Sequence, residues 1–411
     1  MQKLFSPIIF PLISTVLFML GNGYLTSFIS IRMNDFGHSE QAIGLVSSAY
    51  YIGLVVGALQ IAKLIVLIGH LRVFTVFIGL FNCVCLLHAI SDNVYLWFLL
   101  RLLAGVSLAG FYVTIESWLL EYSTNKNRGV ILALYMVAIS SAQAFGQLFL
   151  KSYTTTSVVP FIVVTILLSL SVIPVAISNS KSIRTGHEIE LINIRSLTKI
   201  ASSSIASCLV SGLFLSTIYS LLPVVFDGIT GDTTKTSYLL FSTLLGGMIL
   251  QYPIGLLSDN FDRRKVVIGV SILLLLLLIV IVVVGHENFS YPQLVIIYFI
   301  FGGMSFTFYP VGLSMVCDTL KSAHIVSVTQ GLSIVEGLGS IIGPILAPPF
   351  MAIFGSNGLV TYFILTTICL IIFLIYRTFQ KERVSHNHFF VAVHTTPVAA
   401  ELDPRGEEET K

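Results

Sequence analysis

Residues 101–129 read RLLAGVSLAGFYVTIESWLLEYSTNKNRG. Arg101 stands inside an apolar run, Glu116 follows about four helical turns later, and a polar, basic loop closes the stretch. Charges inside a membrane helix are costly and usually face a cavity or a partner. The stretch has a second copy. Residues 302–318, GGMSFTFYPVGLSMVCD, match it at a constant offset: Gly105 falls on Gly302, Phe111 on Phe308, Tyr112 on Tyr309, Ser117 on Ser314 and Glu121 on Asp318. A chain that repeats its most unusual helix is predicted to be two related halves.

The surrounding composition agrees with a membrane setting. Of 411 residues, 55% are hydrophobic and 10% charged, against about 25% charged in a soluble domain; mean hydropathy is +0.93. Soluble α/β readings are excluded. Net charge is +2 and the basic residues sit in short loops, so nucleic-acid binding has no support. Cys83, Cys85, Cys208, Cys317 and Cys369 lie in or beside apolar runs without a CxxC pair and read as free thiols. The N-terminal run is long enough to span and is followed by no A-x-A-like site, so it reads as an uncleaved first helix. HExxH, GxSxG and Walker A patterns are absent, and Gly337–Gly343 misses the GxGxxG spacing; no enzyme activity, cofactor or metal site is expected. His386 and His388 read as solvated tail residues.

A spanning helix needs about 20 mainly apolar residues. Twelve segments qualify, near 7–30, 41–62, 71–90, 94–120, 129–150, 158–178, 201–226, 236–257, 265–285, 293–317, 325–350 and 357–377. The expected fold is an all-α membrane protein of twelve transmembrane helices in two pseudo-symmetric six-helix halves, 1–178 and 201–377. A polar linker, 179–200, joins them, and the tail from 378 to 411, ending in Glu407, Glu408 and Glu409, reads as disordered. With the N-terminus cytoplasmic, eighteen lysines and arginines fall on inside loops and tails, while Arg32, Lys151 and Lys235 fall outside. That asymmetry places both termini and the linker in the cytoplasm. The ninth segment is apolar all round and is expected to face lipid. The first, fourth, seventh and tenth carry polar or aromatic groups and are expected to ring a cavity.

The loop Gly255–Lys265, GLLSDNFDRRK, sets Asp259 beside Arg263, Arg264 and Lys265. It resembles the loop signature of the major facilitator superfamily, with Asp262 in place of the usual second glycine. In the first-half copy, AKLIVLIGHLR at 62–72, Val66 stands where the aspartate would be, and Gly69 and Arg72 keep the pattern. Arg101–Gly110, closed by Glu121 and Arg128, is similar to the superfamily's fourth-helix motif; Asp318 matches the acid in the second half, where Tyr298 replaces the arginine. Gly339–Pro344 is similar to the glycine-proline motif of the superfamily's antiporters, although it lies in the eleventh helix. Glu116-Ser-Trp-Leu119, Asn127-Arg-Gly129, Gln251-Tyr-Pro-Ile-Gly255, Thr396-Pro397 and Leu402-Asp-Pro-Arg405 resemble the YcaD-like bacterial branch. The resemblance implies twelve helices, a bacterial inner-membrane location and transport by alternating access.

The candidate functional groups follow. Arg101, Glu116 and Glu336 are the charges within predicted spans, expected in the cavity. Glu336 is expected to carry the proton, sensed by Arg101 directly or through the substrate. Asn22, Tyr50, Tyr112, Gln143, Tyr219, Gln251, Tyr298, Phe308 and Tyr309 are the expected substrate contacts. Gly255, Asp259, Arg263, Arg264, Glu121, Arg128 and Asp318 form the expected cytoplasmic gating motif. The expected function is secondary active transport of a small organic solute, proton-coupled, with efflux slightly favoured. The alternatives are an uptake permease of the same fold and a non-transporting receptor or scaffold. The expected partners are that solute, protons and the lipid bilayer, with the protein a monomer.

Overall fold

The computed structural model describes residues 2–124, 127–152, 154–177, 194–318, 325–380, 389–394 and 396–406. Among these the chain is helical throughout its apolar runs, and no strand occurs. The first half comprises α1 (Gln2–Asp35), α2 (Glu40–Ile68), α3 (His70–Ile90), α4 (Val94–Glu121), α5 (Arg128–Gln147) and α6 (Val159–Ile177). The second comprises α7 (Ile194–Ser220), α8 (Leu222–Thr230), α9 (Thr233–Asn260), α10 (Arg263–Val284), α11 (Tyr291–Ser305), α12 (Phe308–Cys317), α13 (Ile325–Phe354) and α14 (Gly358–Gln380).

Eleven continuous stretches are long and apolar enough to cross a membrane. One of them, Ile325–Gln380, has 56 residues. At 1.5 Å per residue that is roughly 84 Å, more than twice a hydrocarbon core. The turn at Gly355–Asn357 divides it into α13 and α14, with Gly355 at φ +58°. Twelve crossings result, the number expected from hydropathy. α11 and α12 form one crossing broken at Phe306–Thr307, and α8 is a short extension of α7.

Short polar residues start the helices. Asn93 accepts hydrogen bonds from the backbone N–H of Tyr95 (2.9 Å) and Leu96 (3.2 Å) to cap α4. Asp232 caps α9 through Thr234 (2.8 Å), and Asp262 caps α10 through Arg264 (3.0 Å) and Lys265 (3.4 Å). Each satisfies N–H groups that the first helical turn leaves unpaired. Asp262, which departs from the family's glycine, is therefore the cap of α10.

Glycines bring the helices of each half together. A methyl on Gly53 would lie 2.0 Å from the Leu102 carbonyl oxygen, and one on Gly105 would lie 1.9 Å from that of Tyr50. The second half repeats the lock between α9 and α11: Gly246 meets the Phe299 carbonyl, and Gly302 meets that of Thr243, each at 1.9 Å. Without a hydrophobic drive between helices in lipid, such close backbone contact supplies the packing energy.

The halves meet at one end of the bundle, the end carrying Arg32, Lys151 and Lys235, which is called the outer end after the orientation expected from the sequence. Ser48 Oγ donates to the Ile341 carbonyl at 2.8 Å, Ser237 Oγ to that of Gln147 at 2.8 Å, and Lys151 Nζ to Tyr238 Oη at 3.2 Å. Gly44 abuts the Pro344 carbonyl. At the opposite, inner end, residues 389–394 and 396–406 lie between the halves. This corrects the expectation of a disordered tail: Ala399, Ala400 and Leu402 are buried, and 399–402 and 404–406 form 3-10 turns. α14 also runs on to Gln380. Most of the predicted linker, 179–193, lies outside the described residues, as do His386, His388 and the acidic terminus. Residues 194–200 are already helical, with a kink at Ala201 (φ −127°, ψ 31°).

Candidate substrate cavity and its inner mouth

A cavity of ≈ 180 Å³ lies between the halves. Its polar lining comes from both. α1 supplies Asn22, α2 Tyr50 and Tyr51, α4 Tyr112 and α5 Gln143; α7 supplies Tyr219, α9 Gln251, α12 Tyr309 and α13 Ser333 and Glu336. The wall is thus wider than the expected ring of four helices, because α2, α5, α9 and α13 also face it. Tyr219 Oη donates to Gln143 Oε1 at 2.9 Å, joining the halves at the outer side of the cavity. Tyr50 Oη donates to Asn22 Oδ1 at 2.9 Å, and the Tyr309 and Ser333 hydroxyls are 3.0 Å apart. Burying such groups in pairs avoids the cost of unmet hydrogen bonds. Seven of the nine expected substrate contacts therefore come together here: Asn22, Tyr50, Tyr112, Gln143, Tyr219, Gln251 and Tyr309.

Two do not. Tyr298 lies seven residues into α11 from the outer end, about 10 Å down. Its side chain faces into its own half. Its hydroxyl is 2.8 Å from His286 Nε2, and its ring makes an edge contact with Phe226, centroids 4.4 Å apart. Phe308 neighbours Tyr309, but successive helical side chains point about 100° apart. It turns away from the cavity, against Phe214 at 5.7 Å.

The three expected cavity charges separate as well. Glu336 lines the cavity. Arg101 is buried outside the lining: its Nη2 donates to the Leu25 carbonyl at 3.3 Å, and its guanidinium sits 5.3 Å from the centre of the Tyr50 ring. Tyr50 thus stands between Arg101 and the cavity. Glu116 lies beyond the cavity, at the inner mouth, fully buried. Tyr135 Oη of α5 donates to its Oε1 at 3.0 Å. The remaining partners come from the C-terminal segment: Thr396 Oγ1 donates to Oε2, and His394 Nδ1 is 3.0 Å from Oε1.

That segment forms the cavity's floor. Val393, His394, Thr396 and Pro397 all line it, and the His394 ring lies 4.1 Å from that of Tyr112. Arg405 binds Asp403 through Nε (2.9 and 3.2 Å) and Nη2 (2.6 Å), and its Nη1 donates to Ser314 Oγ of α12 at 2.8 Å. Burial disfavours the Arg405 charge, but Cys317, Asp403 and Asp318 outweigh that effect and its pKa is raised. The segment's backbone contributes too: Phe390 N–H donates to Asp259 Oδ2 at 3.1 Å, and the Phe390 ring packs on Gly255. Neither His394 nor Thr396 was marked as a site residue in the sequence. The quoted Thr396-Pro397 and Leu402–Arg405 motifs were the available signal.

The gating residues form a network inside each half. Arg263 Nε donates to Asp318 Oδ2 at 2.7 Å, and its Nη1 lies 2.9 Å from Asp259 Oδ1 and donates to Ser258 Oγ at 2.9 Å. Arg264 Nη1 donates to the Arg377 carbonyl at 3.2 Å. In the first half, His70 takes the place of Arg263 and lies 3.6 Å from Glu121. Gly129 and Pro404 are neighbours across the mouth, which brings the start of α5, with Arg128, beside the C-terminal segment.

Two six-helix halves around a central polar cavity, joined at one end and parted at the other, define a membrane transporter architecture. The chain belongs to the Major Facilitator Superfamily, whose profile matches residues 12–227 and 204–400. Among curated relatives, the uncharacterized MFS-type transporter YcaD of Escherichia fergusonii is 27% identical over 319 residues, 77% of this chain and 81% of that protein. YcaD of Escherichia coli O6:K15:H31 is 26% identical over 355 residues, 85% and 90%. These relatives agree with the YcaD-like branch. Among solved structures, the nucleoside transporter NupG superposes with a TM-score of 0.71 at 14% identity, covering 93% of this chain and 100% of that one. A bacterial homologue of the human lysosomal transporter Spinster, inward-facing and unoccupied, gives 0.67 at 13%, covering 92% and 98%.

Proposed function

We propose that the protein is a secondary active transporter that moves a small organic solute across a bacterial inner membrane by alternating access, coupled to protons, with efflux favoured over uptake. The observation that carries this reading is the carboxylate of Glu336 on the wall of a cavity shared by both halves. Around it, Tyr50, Tyr51, Tyr112, Tyr219 and Tyr309 supply apolar ring faces with polar tips, and Asn22, Gln143 and Gln251 supply amide groups. That lining suits a solute with both apolar and hydrogen-bonding parts. A carboxylate held away from bulk water can carry a proton as access to the cavity changes sides. Arg101 acts at one remove: it holds the Tyr50 ring, which in turn holds Asn22.

The test is transport in proteoliposomes, with solutes first selected by thermal shift on purified protein. Glu336→Gln should abolish accumulation driven by a pH gradient while preserving solute counterflow, because exchange needs binding but no net proton movement. Full pH-driven accumulation by Glu336→Gln would remove the proton role. Absence of counterflow by both the wild-type protein and protein truncated after residue 388, for every solute that raises the melting temperature, would remove the transport reading itself.

A further inference from the structure

The inner mouth of the cavity is filled by residues 389–394 and 396–406 of the same chain, and the manner of filling is specific. Residues 389–406 touch both halves. On the first, Thr396 donates to Glu116 and His394 lies beside it, and Val398 joins an apolar cluster with Ile61, Ile65 and Val113. On the second, Arg405 reaches Ser314 and the Phe390 N–H reaches Asp259. Ser314 is the repeat counterpart of Ser117, one residue from Glu116. The segment therefore clamps corresponding levels of the two pseudo-symmetric walls.

The chemistry of the segment fits a buried destination. Its one deeply buried cation and one deeply buried anion are two residues apart and bind each other bidentately. They thus enter the mouth as a nearly neutral unit. A lone buried charge would cost several kcal/mol. The wall, by contrast, offers a fixed acid in Glu116, fully buried, whose Oε2 takes its hydrogen bond from Thr396. Ordering a free tail costs roughly 1–2 kcal/mol per residue in backbone entropy. The apolar side chains of Val393, Val398, Ala399, Ala400 and Leu402, all buried, offset part of that cost, and the hydrogen bonds to both walls add to the offset.

We propose that the inner mouth is a binding site for the chain's own residues 389–406, and that the docked segment acts as a plug. It closes the cavity floor and wedges the halves apart at the inner end. A solute cannot pass while Val393, His394, Thr396 and Pro397 line that floor, and the inner ends cannot close on one another around the wedge. The segment binds only one of the two access states, so docking shifts the population toward the state closed at the outer end. Undocking is then a required step, or a controlled one, in each turnover. The binding claim is independent of the transport reading; the inhibitory consequence rests on it.

The test uses a fluorescein-labelled peptide of residues 389–406 and purified protein truncated after residue 388, in detergent, read by fluorescence anisotropy. The truncated protein should bind the peptide saturably, and the full-length chain, whose mouth is occupied, should bind at least tenfold more weakly. Glu116→Gln in the truncated protein should weaken binding about tenfold. Because that variant could also disturb folding, a peptide carrying T396V and R405A is tested on the unchanged truncated protein and should lose binding to a similar degree. No saturable binding to the truncated protein, equal binding by the full-length chain, or equal binding by a scrambled peptide would each overturn the proposal. In the same preparations, a cysteine introduced by Ser237→Cys at the outer interface, in a background lacking the native cysteines, should react with a polar maleimide several-fold faster after truncation. An unchanged rate would show that the segment docks without biasing the access state and would overturn the plug.

Discussion

The two inner loops of the molecule occupy corresponding places and are held by different chemistry. In the second half, the Arg263 guanidinium bridges Asp318 at 2.7 Å and Asp259 at 2.9 Å, almost wholly buried. In the first, His70 lies 3.6 Å from Glu121, and Val66 stands where Asp259 has its counterpart. A guanidinium is always charged and presents a planar fork of donors that matches two carboxylates at once. An imidazole has one donor to offer and carries charge only when protonated. One fold position can thus hold a permanent cation or an imidazole whose charge depends on protonation. Erosion of the motif in the first half is a change in the strength of the bond and leaves the contact in place. The contacts named here lie within their own halves and brace the loops; among the described residues, the C-terminal segment supplies contacts to both halves at this end.

This comparison can be broken in three places. The largest effect is expected at the hub. Arg263→Ala takes the guanidinium away from buried Asp318 and from Asp259, and removing one partner of a buried pair costs on the order of 3–5 kcal/mol. Thermal unfolding in detergent should show a large drop in melting temperature; a drop no larger than that of His70→Ala would erase the distinction between the two loops. Next come the glycine locks, where the halves are alike. Gly53→Ala and Gly246→Ala each drive a methyl to about 2 Å from a neighbouring carbonyl oxygen, and such overpacking costs about 1–3 kcal/mol. The two should destabilise to a similar degree. A mild effect in one half only would show that the pseudo-symmetry does not extend to the packing.

The smallest effect is expected from rebuilding the first loop. His70→Arg places a permanent cation beside Glu121, itself largely buried. A charge-assisted hydrogen bond contributes about 1.5–3 kcal/mol, from which the extra desolvation must be subtracted, so a gain of about 1 kcal/mol is expected. Destabilisation would mean that the first loop is built around a neutral imidazole.

Most of the architecture could be read from local runs of residues. The spans were legible because twenty apolar residues in a row have one stable solution in lipid, whatever their neighbours. The repeat was legible because Gly105 and Gly302 recur within matching strings. Much of the cavity was legible too, since a tyrosine or glutamine inside a span needs a polar neighbour and the space between the halves supplies it. Tyr298 and Phe308 were misplaced for two different reasons. Tyr298 turns into its own half, against His286 and Phe226, a choice of partner that depends on the packed helices and not on depth. Phe308 shares a helix with Tyr309 and points elsewhere, and only helix phase relative to the other half decides which of the two faces the cavity. Arg101 and Glu336 were drawn to the same level by depth along their helices, but depth leaves the azimuth open, and Tyr50 stands between Arg101 and the cavity.

The sequence by itself determined the class, the number of crossings, the two-fold repeat and the polar inventory, because each depends on residues close together in the chain and on transfer between water and lipid. The position of the C-terminal segment was decided only in three dimensions. Judged alone, residues 389–406 are too few to build a core of their own, and the polar stretches on either side, 380–388 and 407–411, make the tail as a whole read as disordered. The tertiary structure supplies a mouth with an acid at Glu116, a hydroxyl at Ser314 and an apolar wall at Ile61 and Ile65. Against those partners, the nearest of them 91 residues away along the chain, the same segment becomes ordered.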